Sequence, residues 1–189
     1  DIMDTAVVLQ SKDAIAIVER RLADLESVLA ELAGKYRDTL MAGRTHGQHA
    51  LPITFGFKVA IWLDEFRRHR ARLNDCKPRL LVGQFGGAVG TLASVSDDAL
   101  AIRARVMALL GLADAPITRH VAHDGFAEFA HILAMLAGTC GKIAAEVIAS
   151  TSSHSPTSQV TARARASPPS SAASSWSGSI RLPASTRRY

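Results

Sequence analysis

The spacing of apolar residues in two long segments most constrains what this chain can fold into. In the first segment the steps alternate between three and four residues, through Ile15, Val18, Leu22, Leu25, Leu29 and Leu32. In the second segment the same steps run through Phe126, Phe129, Leu133, Leu136, Cys140, Ile143 and Val147. Such spacing forms a stripe on one face of a helix that packs nearly parallel to its neighbours. The sequence therefore predicts an elongated bundle of long helices, with Cys140 in its core.

The predicted fold class is all-α. Helices are expected over residues 4–40, 53–76, 97–110 and 122–149, with no strand. The chain is 48% hydrophobic but only 5% aromatic, and Ala and Leu favour helices over β-sandwiches. Pro78 is expected to end the second helix and Gly111 to cap the third. So much apolar surface on long helices predicts that other copies of the chain complete the core.

Two regions of different character are predicted, residues 1–149 and residues 150–189. The first is a partial helical-bundle domain, whereas the second is rich in Ser, Ala, Pro and Arg without Asp, Glu or Lys. That composition predicts a low-complexity, disordered tail. It is also typical of a GC-rich gene read out of frame, so a frameshift near codon 150 is our hypothesis. Because Asp1 opens directly into a helical pattern, we expect the chain to be a fragment.

Charge and cysteine content exclude several classes of protein. The formal net charge of +5 comes entirely from five arginines after residue 149, since the preceding part carries 17 basic and 17 acidic residues. This balance gives no electrostatic reason to expect nucleic-acid binding. His131, Lys142 and Glu146 interrupt the most apolar segment, so we expect no membrane span. Two cysteines and no signal peptide predict a cytoplasmic protein.

The polar residues 43–56 carry the most chemistry, reading Gly-Arg-Thr-His-Gly-Gln-His-Ala-Leu-Pro-Ile-Thr-Phe-Gly. Pro52 suits a helix entrance, which would place these side chains beside a helix N-terminus that favours a bound anion. His46 or His49 would then transfer a proton, although a merely solvated loop is also compatible with the pattern. The glycine-rich residues 83–91 lack the context of a phosphate or dinucleotide loop, and predict a close backbone approach to a ligand or a neighbouring helix.

These segments resemble the signature regions of the fumarase/aspartase superfamily, in its adenylosuccinate lyase and 3-carboxy-cis,cis-muconate cycloisomerase branches. Residues 43–56 resemble the second signature region, and Asp1-Ile-Met-Asp-Thr5 resembles the end of the first. Residues 84–91 are closer to the cycloisomerase branch, and Thr45-His46-Gly47 to the adenylosuccinate lyase branch.

The resemblance implies a helical homotetramer whose active sites are shared between subunits. It implies anti β-elimination on an anionic, succinyl-type polycarboxylate, or the related cycloisomerisation, without a metal or organic cofactor. By position His46 would be the general acid for the leaving group. Arg44 and Thr45 would order the substrate-facing loop. Gln84 and Thr91 would contact the substrate or that loop.

The chain departs from the family pattern in three places. The family's Gly-Ser-Ser-x-Met-Pro-x-Lys-x-Asn loop, which carries the serine base, does not follow Glu146. His123-Asp124-Gly125 stands where relatives carry an Arg-Asp-Arg-like segment. Substrate-binding residues that would precede Asp1 are absent. We therefore expect this chain alone to be inactive.

Two other interpretations remain open at the level of sequence. His46 with His49, and His120 with His123, form His-x-x-His pairs of the kind that chelate zinc. The apolar stripes are equally consistent with a non-catalytic helical assembly module.

Overall fold

The computed structural model describes residues 1–152, which form four helices and one β-hairpin. In chain order these are α1 Ile2–Lys35, β1 Leu40–Thr45, β2 Gln48–Thr54, α2 Phe55–Leu80, α3 Ala99–Leu110 and α4 Asp124–Ser152. The packing described below is that of residues 1–146. The part of the predicted tail beyond Ser152 lies outside the described residues. The predicted domain boundary at residue 149 therefore remains a prediction.

The stripe predicted on α1 faces the core, as expected. Its members are alternately buried and half-buried, in the order Ile15, Val18, Leu22, Leu25, Leu29 and Leu32. The same side of α1 also carries a buried charged residue, Glu26. Glu26 is only 8% exposed, and its carboxylate pairs with the Arg70 guanidinium of α2 at 2.9 Å. This partner makes the burial of the charge tolerable.

One apolar cluster joins α1, α2 and α4. The largest share comes from α2, through Val59, Leu63, Phe66, Leu73, Cys76 and Leu80. Pro78 lies inside the last turn of α2 rather than ending the helix, which continues to Leu80. A second cluster of Val8, Met107 and Leu112 joins the start of α1 to α3.

The stripe predicted on α4 is correct at some of its positions and wrong at Cys140. Phe129 and Leu136 are buried as predicted, but Cys140 is exposed and Thr139 is buried instead. The Thr139 hydroxyl is hydrogen-bonded to His69 and Glu65 of α2. These two bonds turn a polar residue toward the core, and Cys140, one residue further around the helix, faces solvent.

Within residues 1–152, α4 is the helix that is long and apolar enough to cross a membrane by length and composition. Its charged residues have partners on another helix, however. Lys142 pairs with Glu65 and Glu146 pairs with Lys58, both on α2. These ion pairs join α4 to α2, as expected for two helices of one bundle.

The hairpin contradicts the prediction that the chain has no strand. β1 and β2 pair antiparallel, and Pro52 lies opposite Ala42 within β2 instead of at a helix entrance. Helix α2 begins at Phe55, and the Thr54 hydroxyl caps it by accepting a hydrogen bond from Phe57 N at 3.1 Å. Both strands are largely exposed, so they need no alternating apolar pattern, which is the signal by which strands are predicted.

Candidate active site

His46 occupies the turn of the hairpin. Its φ is 51°, and Gly47 beside it has φ 75°, a combination typical of the tight turns that match the twist of paired strands. A non-glycine residue in this left-handed region is uncommon, and histidine is among the residues that tolerate it. Strained backbone of this kind concentrates at functional sites. The turn places the His46 imidazole at the tip of the hairpin.

Gly43 fixes the register of the residues that follow it. The pairing of the strands is irregular between Ala42 and Arg44, and Arg44 lies opposite His49. A Cβ atom on Gly43 would lie 2.6 Å from the Leu51 carbonyl oxygen, which no larger residue could accept. Glycine at this position therefore allows the close approach of the two strands from which Arg44, Thr45 and His46 continue to the tip.

The hairpin tip lies far from the helix N-terminus predicted to adjoin it. All side chains from Arg44 to Ala50 are exposed. The strand between His49 and Phe55 spans roughly 20 Å at ~3.3 Å per residue. The expectation that His46 and His49 lie beside the first turn of α2 is therefore wrong, and that helix end gives these histidines no anion site.

Gln84 lies in the glycine-rich loop that follows α2, and its side chain is bonded within the protein. Its amide nitrogen donates to Thr118 Oγ1 at 2.6 Å, and its amide oxygen accepts from Arg119 N at 3.0 Å. The residue is 7% exposed. Thr91, at the other end of the loop, is exposed. Gly83 packs against Met107 of α3, which confirms the predicted close approach to a neighbouring helix.

A small cleft beside Gln84 holds charged residues that the sequence did not single out as a group. His123 Nε2 lies 3.5 Å from Asp4 Oδ2, and the ring of His123 packs edge-on against Phe126. Arg119 lines the same cleft and donates to the Arg79 carbonyl oxygen at 2.6 Å. Imidazole and guanidinium groups together favour an anionic ligand. In the sequence, Asp4 stands out only as part of the first signature region. Its proximity to His123 becomes visible in the folded structure.

The candidate residues form two groups at opposite ends of α2. Arg44, Thr45 and His46 precede the helix, whereas Gln84 and Thr91 follow it. The helix has 26 residues, which is about 39 Å at ~1.5 Å per residue. The fold of one chain therefore does not bring the two groups together.

Comparison with known proteins identifies the family. A family model described as lyase matches residues 1–172. The chain is 51% identical over 148 residues to an adenylosuccinate lyase of Pyrococcus abyssi, covering 78% of this chain and 33% of that protein. It is 46% identical over 147 residues to a 3-carboxy-cis,cis-muconate cycloisomerase of Pseudomonas aeruginosa, covering 78% of this chain and 32% of that protein.

This chain is a member of the fumarate lyase superfamily. The crystal structure of a fumarate lyase from Mesorhizobium sp. BNC1 matches its fold with a TM-score of 0.79 and 47% identity, over 81% of this chain and 36% of that one. The all-α bundle predicted for the superfamily is thereby confirmed. The chain spans about a third of the length of the curated relatives it matches.

A zinc site formed by all four of these histidines would require the pair His46 and His49 to lie close to the pair His120 and His123. His46 and His49 lie on the hairpin before α2, whereas His120 and His123 lie beyond its other end. In one chain they are therefore too far apart to share an ion. Among residues 1–152, no three histidine, cysteine or acidic side chains are grouped so as to hold a metal.

Proposed function

We propose that this chain is part of an enzyme that performs anti β-elimination on an anionic, succinyl-type polycarboxylate, or the related 3-carboxy-cis,cis-muconate cycloisomerisation. In the elimination a base removes a proton beside a carboxylate, and a general acid protonates the leaving group as a C–N or C–O bond breaks. Relatives at 51% and 46% identity bear the names of one enzyme of each kind. That similarity supports the reaction class and leaves the substrate open between them.

The single observation that carries the proposal is the group at the hairpin tip. His46 lies in a left-handed turn, flanked by Thr45 and Arg44. Imidazole can donate a proton near neutral pH, and guanidinium matches the geometry of a carboxylate. We assign His46 as the general acid, and Arg44 and Thr45 as residues that order the substrate. The serine base of the family would come from a segment that this sequence lacks.

Gln84 and Thr91 join this site only if the chain associates with other copies. The hairpin tip of one chain and the glycine-rich loop of the same chain are separated by the length of α2, so a compact site requires the loop of another copy. We therefore propose a cytoplasmic homotetramer with shared active sites. Exposed apolar side chains on α1 and α2, Ile17, Val28, Phe57 and Ile61, support such association.

The test compares His46→Gln with His49→Gln in the complete protein encoded by the gene. Adenylosuccinate and 3-carboxy-cis,cis-muconate are supplied in turn, and fumarate or lactone formation is followed by absorbance. His46→Gln should lower kcat by about 10²–10⁴-fold, the usual contribution of a general acid, whereas His49→Gln should retain most of the activity.

A different result would reject the assignment. If His46→Gln keeps full activity, His46 is not the general acid. If the parent protein assembles but turns over neither substrate nor other succinyl-type compounds, the non-catalytic assembly module becomes the better description. The exposed apolar side chains on α1 and α2 favour that second function, because they support assembly without requiring any catalytic residue.

A further inference from the structure

The first residues of α1 hold the glycine-rich loop through the side chain of Asp1. One carboxylate oxygen of Asp1 accepts a hydrogen bond from Gly86 N at 2.9 Å, and the other accepts one from Gly87 N at 2.8 Å. Hydrogen bonds from backbone amides to an ionised carboxylate are among the stronger ones in proteins. Asp1 therefore fastens two consecutive residues of the loop to the start of α1.

Thr5, one turn further along α1, makes a reciprocal contact with the same loop. Its hydroxyl donates to the Gln84 carbonyl oxygen at 2.8 Å and accepts from Gln84 N at 3.0 Å. Both residues are buried, Thr5 at 9% exposure. One largely buried hydroxyl thus satisfies both backbone polar groups of Gln84.

Gln84 connects the start of α1 to Arg119, which lines the cleft beside Gln84. Its backbone is held by Thr5, and its side chain is bonded to Thr118 and Arg119 N. Gly90 lies against Thr118, because a Cβ added at Gly90 would be 2.7 Å from Thr118 Cγ2. The loop is therefore fixed from α1 on one side and from residues 118–119 on the other.

We propose that Asp1 and Thr5 are positioning residues that pre-order the glycine-rich loop and, through Gln84, the segment carrying Arg119. A loop with glycines at residues 83, 86, 87 and 90 would otherwise lose much conformational entropy when a substrate orders it. Holding it in place before binding removes that cost. This inference rests on the proposed function, because it takes the loop to be part of an anion-binding site.

The experiment compares Thr5→Val, which keeps the shape but removes the hydroxyl, with the conservative Thr5→Ser. Ser11→Ala is the matched control, because the Ser11 hydroxyl is also buried on α1 but donates to Val7 O of its own helix rather than to the loop. The first readout is amide hydrogen exchange at Gln84, Gly86 and Gly87. The second is the affinity for fumarate, used as an anionic probe, by titration calorimetry.

Thr5→Val should accelerate exchange at the three amides by about 5- to 10-fold, the equivalent of one lost hydrogen bond, and weaken fumarate binding by a similar factor. Thr5→Ser should restore both properties, and Ser11→Ala should change neither. Asp1→Asn should accelerate exchange at Gly86 and Gly87, whereas Asp13→Asn, an exposed carboxylate on the same helix, should not.

Exchange at the three amides that is unchanged in Thr5→Val, or equally accelerated in Ser11→Ala, would overturn the positioning role. Exchange accelerated as expected, with fumarate affinity unchanged, would overturn it as well, because the loop would then be ordered without serving a ligand. A parent protein that binds neither fumarate nor 3-carboxy-cis,cis-muconate contradicts the proposed function instead, and this result is distinct because it appears before any substitution is made.

Discussion

His69 is a buried titratable group whose hydrogen-bond partner determines which ring nitrogen carries the proton. It is 5% exposed on α2, and its Nε2 lies 2.9 Å from Thr139 Oγ1. The Thr139 hydroxyl donates to Glu65 Oε1 at 2.9 Å, so it can only accept from His69, whose Nε2 must carry the proton. Nδ1 is then a buried acceptor without a partner among the described residues. Protonating it would place an unpaired N–H⁺ in the core.

We predict that the stability of the protein falls as the pH is lowered through the range of ordinary histidine. Burial lowers the pKa of His69, reinforced by Arg72, Arg68 and Lys142 and opposed by Glu65. The unfolded state therefore binds the proton first, and folding stability is lost below about pH 6.5. Urea midpoints measured between about pH 5.5 and 7.5 should show this slope.

Replacing the imidazole tests the assignment. His69→Gln should flatten the slope in this range, and His131→Gln, an exposed histidine on α4, should leave it unchanged. The hydrogen bond from Lys142 lowers the pKa of Glu65, so the contribution of that carboxylate is lost only at more acidic pH and does not interfere. An equal slope in all three proteins would contradict the prediction.

At the scale of elements, the junction between α1 and α2 depends on Gly56 in the first turn of α2. A Cβ added there would lie 2.5 Å from the Ala33 carbonyl oxygen and 2.6 Å from Arg37 Cα. The end of α1 and the start of α2 can therefore cross closely only because residue 56 has no side chain. This crossing also sets where the hairpin leaves the bundle.

Gly56→Ala should destabilise the protein by about 1–3 kcal/mol, as expected for overpacking against backbone. Gly34→Ala is the matched control, since a Cβ at Gly34 meets nothing within 4 Å, and it should stabilise α1 by about 0.5–1 kcal/mol. Urea unfolding measures both. Equal effects of the two substitutions would show that the crossing is not tight.

At the scale of the whole molecule, the described chain leaves apolar side chains uncovered on its long helices. Phe57 is 57% exposed and Ile61, one turn further along α2, is 49% exposed. Apolar residues repeated along one face of a helix mark a surface that contacts another protein. The proposed association of copies would cover them.

Ile61→Lys should therefore shift the protein toward smaller species without unfolding it. Its side chain lies outside the core of one chain, so the helical circular dichroism should persist. Sedimentation velocity measures the assembly, with Arg67→Glu, an exposed charge on the same helix, as the control. An unchanged sedimentation profile for Ile61→Lys would show that this face is not the interface.

The sequence by itself determined the helices and the family. The stripe on α1 is a local pattern, since side chains three and four residues apart share a helix face whatever else the chain does. Gly111 capping α3 in the left-handed conformation, φ 62°, is equally local. The signature residues 43–56 led to the superfamily without any knowledge of their geometry.

Only the tertiary structure decided which residues meet. The hairpin has no buried face to mark its strands, and Thr139 rather than Cys140 faces the core because its partners, His69 and Glu65, lie on another helix. The pairs Asp1–Gly86 and Thr5–Gln84 join residues about eighty positions apart. Such contacts depend on how whole helices pack, and the spacing of residues along one segment holds no information about them.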